Sequence, residues 1–184
     1  MDSDLTLDFI IIIVLIIANG LFSMTELAIV NAKKRKLEEL AEAGNERAKK
    51  AFELAEHPND MFSTIQIGIT LVGILTGLYS GATFSGPLEE ILTANIPSIE
   101  PYAASVSSFL IVAIITYLSL VIGELVPKRL ALNSPEGIAV VVAKPIYWLS
   151  VALKPIVSFL GISTEFLLKI LGVTVKEEAP VTES

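Results

Sequence analysis

Polar positions along the chain are gathered between apolar blocks instead of alternating with them at a helical or strand period. Between 5 and 30 only Asp8 and Glu26 are charged, between 61 and 88 no residue is, and between 101 and 126 only Glu124 is. A helix of about 20 mostly apolar residues crosses a bilayer, so each block is long enough to span. The first block is too long for a signal-peptide core, follows no basic stretch and shows no small-residue cleavage site, so it is expected to stay in the mature protein. The pattern predicts three transmembrane helices.

A fourth apolar stretch, 137–172, is interrupted by "AKPIYW" and "LKPIVS". Pro145 and Pro155, each preceded by a lysine, are expected to break it into pieces too short to cross alone. The reading is a set of juxtamembrane helices in the cytoplasmic interface, with Tyr147 and Trp148 at headgroup depth and Lys144 and Lys154 snorkelling; a re-entrant hairpin is the alternative. Ser134 and Pro135 read as the N-cap and first residue of this region. The segment "KKRKLEELAEAGNERAKKAFELAEHPND" has Leu and Ala at helical spacing with Glu and Lys between them. It predicts an amphipathic hairpin split at Gly44 and Asn45. His57, the single histidine, reads as a helix-terminal residue instead of a ligand, and the tail "VKEEAPVTES" as disordered. The chain thus divides into a three-helix core at 1–132 that carries the hairpin at 31–60, juxtamembrane helices at 133–173, and a polar tail at 174–184.

Charge sets the orientation. Seven of the thirteen basic residues (Lys33, Lys34, Arg35, Lys36, Arg47, Lys49, Lys50) lie between the first and second blocks, and short loops rich in Lys and Arg stay cytoplasmic. The N-terminus and the connection at 85–100 carry only acidic residues and are expected outside. Lys128 and Arg129 then meet the third helix as it returns, which leaves the C-terminus cytoplasmic. The chain is 53% hydrophobic with a mean hydropathy of +0.69 and has no cysteine. Its net charge of -7 gives no support to nucleic-acid binding.

The chemistry gathers where the blocks are interrupted. In "GELVPK", 123–128, Pro127 has no N–H to offer the Gly123 carbonyl, and the Glu124 carboxylate stands beside it. Carbonyl and carboxylate oxygens are ligands that Mg2+ and Ca2+ take, and an ionisable residue within a span is a functional candidate. The competing reading pairs Glu124 with Lys128 or Arg129 at a helix end. On the first helix Asn19, Ser23 and Glu26 share a face; on the second Ser63, Gln66 and Thr70 do, continued by Gly73, Gly77 and Gly81. Small residues every fourth position permit close helix contact, and with the apolar juxtamembrane surface they predict a homodimer. Oxygen groups on three helices, all toward the cytoplasmic side, read as a cation site.

Together "NGLFSMTELAIV" at 19–30, "FSTIQIGITLVGILTG" at 62–77 and "GELVPKRLA" at 123–131 resemble the transmembrane domain of the CorC/CNNM family of magnesium transporters, often labelled haemolysin-like proteins in bacteria. The resemblance covers 5–172. It implies an all-α integral membrane protein, three transmembrane helices per protomer with cytoplasmic juxtamembrane helices, paired as a homodimer in the plasma or bacterial inner membrane. It further implies Mg2+ export, with Na+ as a coupling ion in some members, and CBS modules that bind ATP following the membrane domain. Ser23, Ser63, the Gly123 carbonyl and the Glu124 carboxylate would surround the ion, with Asn19 lining the cavity; in a departure from the family, Ile69 and Thr70 stand where many relatives carry Asn, and either Gln66 or Thr70, at helical spacing from it, would compensate. The chain ends at Ser184, about where those modules would begin, so it reads as a shortened form or a membrane domain without its regulator. A non-transporting anchor or sensor is the competing function. An enzyme is not expected, since there is no paired aspartate, no His-Glu-x-x-His and no serine with an intramembrane histidine.

Overall fold

The computed structural model describes residues 2–56 and 58–172, without the side chains of 2–4 and 60; His57 and the tail at 174–184 lie outside the described residues. Among the described residues every element is helical: α1 (Asp2–Asn31), α2 (Lys34–Glu42), α3 (Glu46–Glu56), α4 (Pro58–Asn95), a 3-10 segment (Pro97–Tyr102), α5 (Ala103–Leu120), a π-helical segment (Val121–Leu125), α6 (Val126–Asn133) and α7 (Pro135–Ile170). Four stretches are long and apolar enough to cross a membrane: Leu5–Asn31, Met61–Asn95, Pro97–Asn133 and Pro135–Ile170. This identifies a multi-pass membrane protein.

The fourth stretch corrects the expectation drawn from its prolines. Pro145 and Pro155 lie inside one unbroken 36-residue helix. Each ring removes a single N–H bond, to the carbonyl four residues back, while the turns on either side keep theirs. Those turns keep their partners only if the helix continues, and it does so through both prolines. At about 1.5 Å per residue α7 reaches about 54 Å, well beyond the hydrocarbon thickness of about 30 Å. Ser134 stands at its N-cap with no side-chain capping bond, and Pro135 begins the first turn.

The hairpin is built as its spacing predicts. Gly44 has φ +91°, a left-handed conformation that a side chain would strain. The Gly44 N–H bonds Ala41 O at 3.0 Å and the Asn45 N–H bonds Leu40 O at 3.1 Å, which closes α2 in a Schellman turn. Asn45 then opens α3, its Oδ1 accepting the N–H groups of Arg47 and Ala48 at 3.0 and 3.1 Å.

Packing is densest beneath the bundle, where the end of α1, the hairpin, the start of α4 and the first half of α7 meet. Leu37, Met61 and Ile65 are buried there with Ile29, Leu54 and Val142. Lys50 ties the hairpin to α7, its ammonium 3.9 Å from the centre of the Tyr147 ring. The Glu53 carboxylate, 2.6 Å away, holds Lys50 above its ordinary pKa. Toward the other end α1 and α4 run antiparallel: the Tyr79 hydroxyl donates to the Asp8 carboxylate, and the Phe9 and Phe84 rings lie 4.7 Å apart. Elsewhere the helices turn apolar side chains outward, among them Leu78, Phe109 and Ile170. Lipid solvates such faces.

Candidate functional site

Pro127 shapes the centre of the molecule. With no donor there for the carbonyl four residues back, the preceding turn widens, and the Val126 N–H reaches Val121 O five residues away. The widened turn rests on α1 with almost no clearance. A Cβ at Gly20 would lie 2.9 Å from Pro127 Cγ and 3.2 Å from Ile122 O, and one at Gly123 would lie 3.2 Å from Ile16 O. Two facing glycines let the backbones meet.

That approach settles where the Gly123 carbonyl goes. The sequence leaves it without its helical donor; in the fold Asn19 Nδ2 donates to it at 3.0 Å. A carbonyl only accepts, so the amide nitrogen must face it and the amide oxygen must face away. Asn19 Oδ1 is buried with no hydrogen-bond partner among the described residues, and so is Ser23 Oγ one turn along α1. Native proteins rarely leave buried polar atoms unpaired, so two neighbouring oxygens without partners mark a place that a donor or cation would satisfy.

Glu124 points into a cavity of about 190 Å3 with Asn19, Gly73, Gly77, Thr116 and Ser119. Its carboxylate accepts from Lys128 Nζ at 2.7 Å, the pairing that competes with an ion for it. A Cβ at Gly73, Gly77 or Gly81 would meet nothing within 4 Å in the same chain. Within the chain they make room instead of contact.

Of the six sequence-derived candidates, Asn19, Ser23, Gly123 and Glu124 share this region. Ser63 and Gln66 do not line the Glu124 cavity. They line a second one of about 730 Å3 with Glu26, Thr70, Thr164 and the apolar wall of Ile156 and Leu160. The reason is length. Gln66 and Gly77 are eleven positions apart on one face of α4, about 16 Å along the axis, and α5 with the π-helical segment lines only the cavity at Gly77. Thr116 and Ser119 were missed by the sequence reading, although they precede Gly123 at the helical spacing that would place all three on one face. No group of three or more His, Cys, Asp or Glu side chains comes together among the described residues. A metal ion at Glu124 would therefore be held by one carboxylate and neutral oxygens.

Comparison with known proteins agrees with this architecture. Residues 10–184 match the family described as the cyclin M (CNNM) transmembrane N-terminal domain. The UPF0053 protein sll0260 of Synechocystis sp. is 50% identical over 98% of this chain and 40% of its own length. The UPF0053 protein YugS of Bacillus subtilis is 33% identical over 96% of this chain and 41% of its own. The polyamine export protein of Haemophilus influenzae is 27% identical over 94% of this chain and 40% of its own. The chain thus spans about two fifths of the length of these relatives. The match over 10–184, on a bundle whose long apolar helices meet at a widened turn, carries the assignment: this chain belongs to the CNNM transmembrane-domain family.

Proposed function

We propose that this domain moves cations across the membrane, with Mg2+ as cargo, in the direction of export and with Na+ as the counter-ion. The observation that carries the reading is the pair of buried, unpartnered oxygens, Asn19 Oδ1 and Ser23 Oγ, beside the widened turn that holds Glu124. Mg2+ demands near-octahedral oxygens at about 2.0–2.1 Å and gives up water reluctantly. One carboxylate supplies the charge that offsets partial dehydration, while neutral oxygens keep the ion weakly enough held to leave. Asn19 is positioned by its bond to Gly123, so its free oxygen is oriented before any ion arrives.

In this reading the N-terminus is external and the C-terminus cytoplasmic, since the basic hairpin stays inside. Three helices cross, and α7 lies along the cytoplasmic side with its exposed second half against lipid or a second copy, completing a homodimer. CBS modules that bind ATP would follow in a full-length protein and regulate it. The test is Mg2+ flux and thermal stabilisation in purified protein, in liposomes and in detergent. Glu124→Gln keeps the shape and removes the charge, so it is expected to abolish both while the protein remains folded. Parent-like flux in that variant would place the site elsewhere and leave the Glu124–Lys128 pair as a helix-end ion pair of an anchor or sensor.

A second reading, polyamine export, is favoured by the Haemophilus influenzae relative and by a cavity of about 730 Å3 with apolar walls and a carboxylate. Spermidine uptake into inside-out vesicles that exceeds Mg2+ uptake would favour it over Mg2+ export.

A further inference from the structure

We propose that the cavity at Glu26 is a second cation site, on the hairpin side of the Glu124 cavity, and that it takes a cation with its first shell of water still attached. The proposal rests on the cation-transport reading and adds to it a station that no residue of the Glu124 site supplies. Glu26 lies within the first apolar span and makes no hydrogen bond or ion pair among the described residues. A carboxylate in such a setting requires a counter-charge or water, since burying it alone is costly.

Volume separates the two cavities chemically. One water takes up about 30 Å3 of liquid. The space of about 730 Å3 at Glu26 holds an ion with six waters around it with room to spare, whereas the space of about 190 Å3 at Glu124 leaves little beyond that shell. Its polar groups come from three helices: Glu26 on α1, Ser63, Gln66 and Thr70 on α4, and Thr164 on α7. They suit hydrogen bonds to the ion's own water.

The two cavities are consecutive on one track. Ser63, Gln66, Thr70, Gly73 and Gly77 form a single stripe on α4 that lines first one and then the other. On α1 the stripe is Glu26, Ser23, Asn19, and the Ser23 hydroxyl, 1% exposed and unpartnered, lies between Glu26 and Asn19 along the helix, behind the lining of both cavities. Glu26 and Asn19 are about 10 Å apart along the axis. A cation at Glu26 would exchange water for the Ser23 oxygen as it moves toward Glu124.

The experiment uses hexaamminecobalt(III), a cation shaped like a hydrated divalent ion whose ligands do not exchange, with the full chain in detergent at low ionic strength. Calorimetric titration is expected to show binding that Glu26→Gln weakens by about tenfold or more, that Glu26→Asp retains, and that Glu124→Gln leaves unchanged. In liposomes Glu26→Gln is expected to raise the Mg2+ concentration for half-maximal flux by about tenfold with the maximal rate kept. Unaltered hexaamminecobalt binding in Glu26→Gln would overturn the second site, whatever Glu124→Gln does. Loss of Mg2+ flux in Glu124→Gln tests the transport reading separately, so the two can fail independently.

Discussion

Glycine has two opposite uses here, and single substitutions separate them. At Gly20 a methyl group meets the Pro127 ring and a backbone oxygen that cannot move aside. Gly20→Ala is therefore expected to push α1 off the widened turn, break the Asn19–Gly123 bond and cost about 1–3 kcal/mol, read as a lower thermal midpoint together with lost flux. At Gly77 the methyl group meets nothing. Alanine is the better helix former by about 1 kcal/mol, so Gly77→Ala is expected to hold or raise the midpoint while it reduces Mg2+ flux by narrowing the Glu124 cavity. Equal loss of stability in both variants would refute this division. Asn19, Ser23 and Glu124 were legible as candidates because helical spacing and the lone carboxylate of the third block are visible in one dimension. The cavity that Ser63 and Gln66 join was not, because it depends on how far each long helix slides against its neighbour.

Among the elements, the hairpin and α7 depend on each other more than their separate patterns imply. Leu37 is fully buried against both, and Leu37→Ala is expected to destabilise by about 2–5 kcal/mol. Protease sensitivity should then appear first in α2 and α3, with the spanning helices protected by lipid. The split at Gly44 and Asn45 could be read from the residues because a left-handed turn and an N-cap are local demands. The continuity of α7 could not, because the proline rule counts the lost bond and not the turns on either side that keep theirs. A cleft along α4 lies beside its second half, where Ile156, Leu160 and Thr164 wall the larger cavity.

For the whole molecule, the distribution of basic residues makes a topological statement that labelling can check. With single cysteines introduced into this cysteine-free chain, an impermeant reagent added outside is expected to label a position near Thr93 and to spare one near Gly44. The reverse pattern would invert the orientation and with it the direction of transport. The buried apolar core gathers at the hairpin end, while the spanning helices turn most of their apolar side chains outward.

In the Mg2+-transport reading, the ion pair between Glu124 and Lys128 also decides what the membrane voltage acts on. Without cargo the two charges cancel; with Mg2+ bound and Lys128 kept nearby the same region carries two positive charges. In a cycle that exposes the site to each side in turn, the potential would therefore work on the passage loaded with Mg2+ and on a return that carries Na+, and would be nearly indifferent to a return with the ion pair closed and no ion bound. Each elementary charge carried through the full field is worth about 2.3 kcal/mol per 100 mV. Lys128→Met would leave the empty site negative and the loaded site with one positive charge. In liposomes held at a set potential, that variant is expected to have its ion-free return, and not only its loaded passage, governed by voltage.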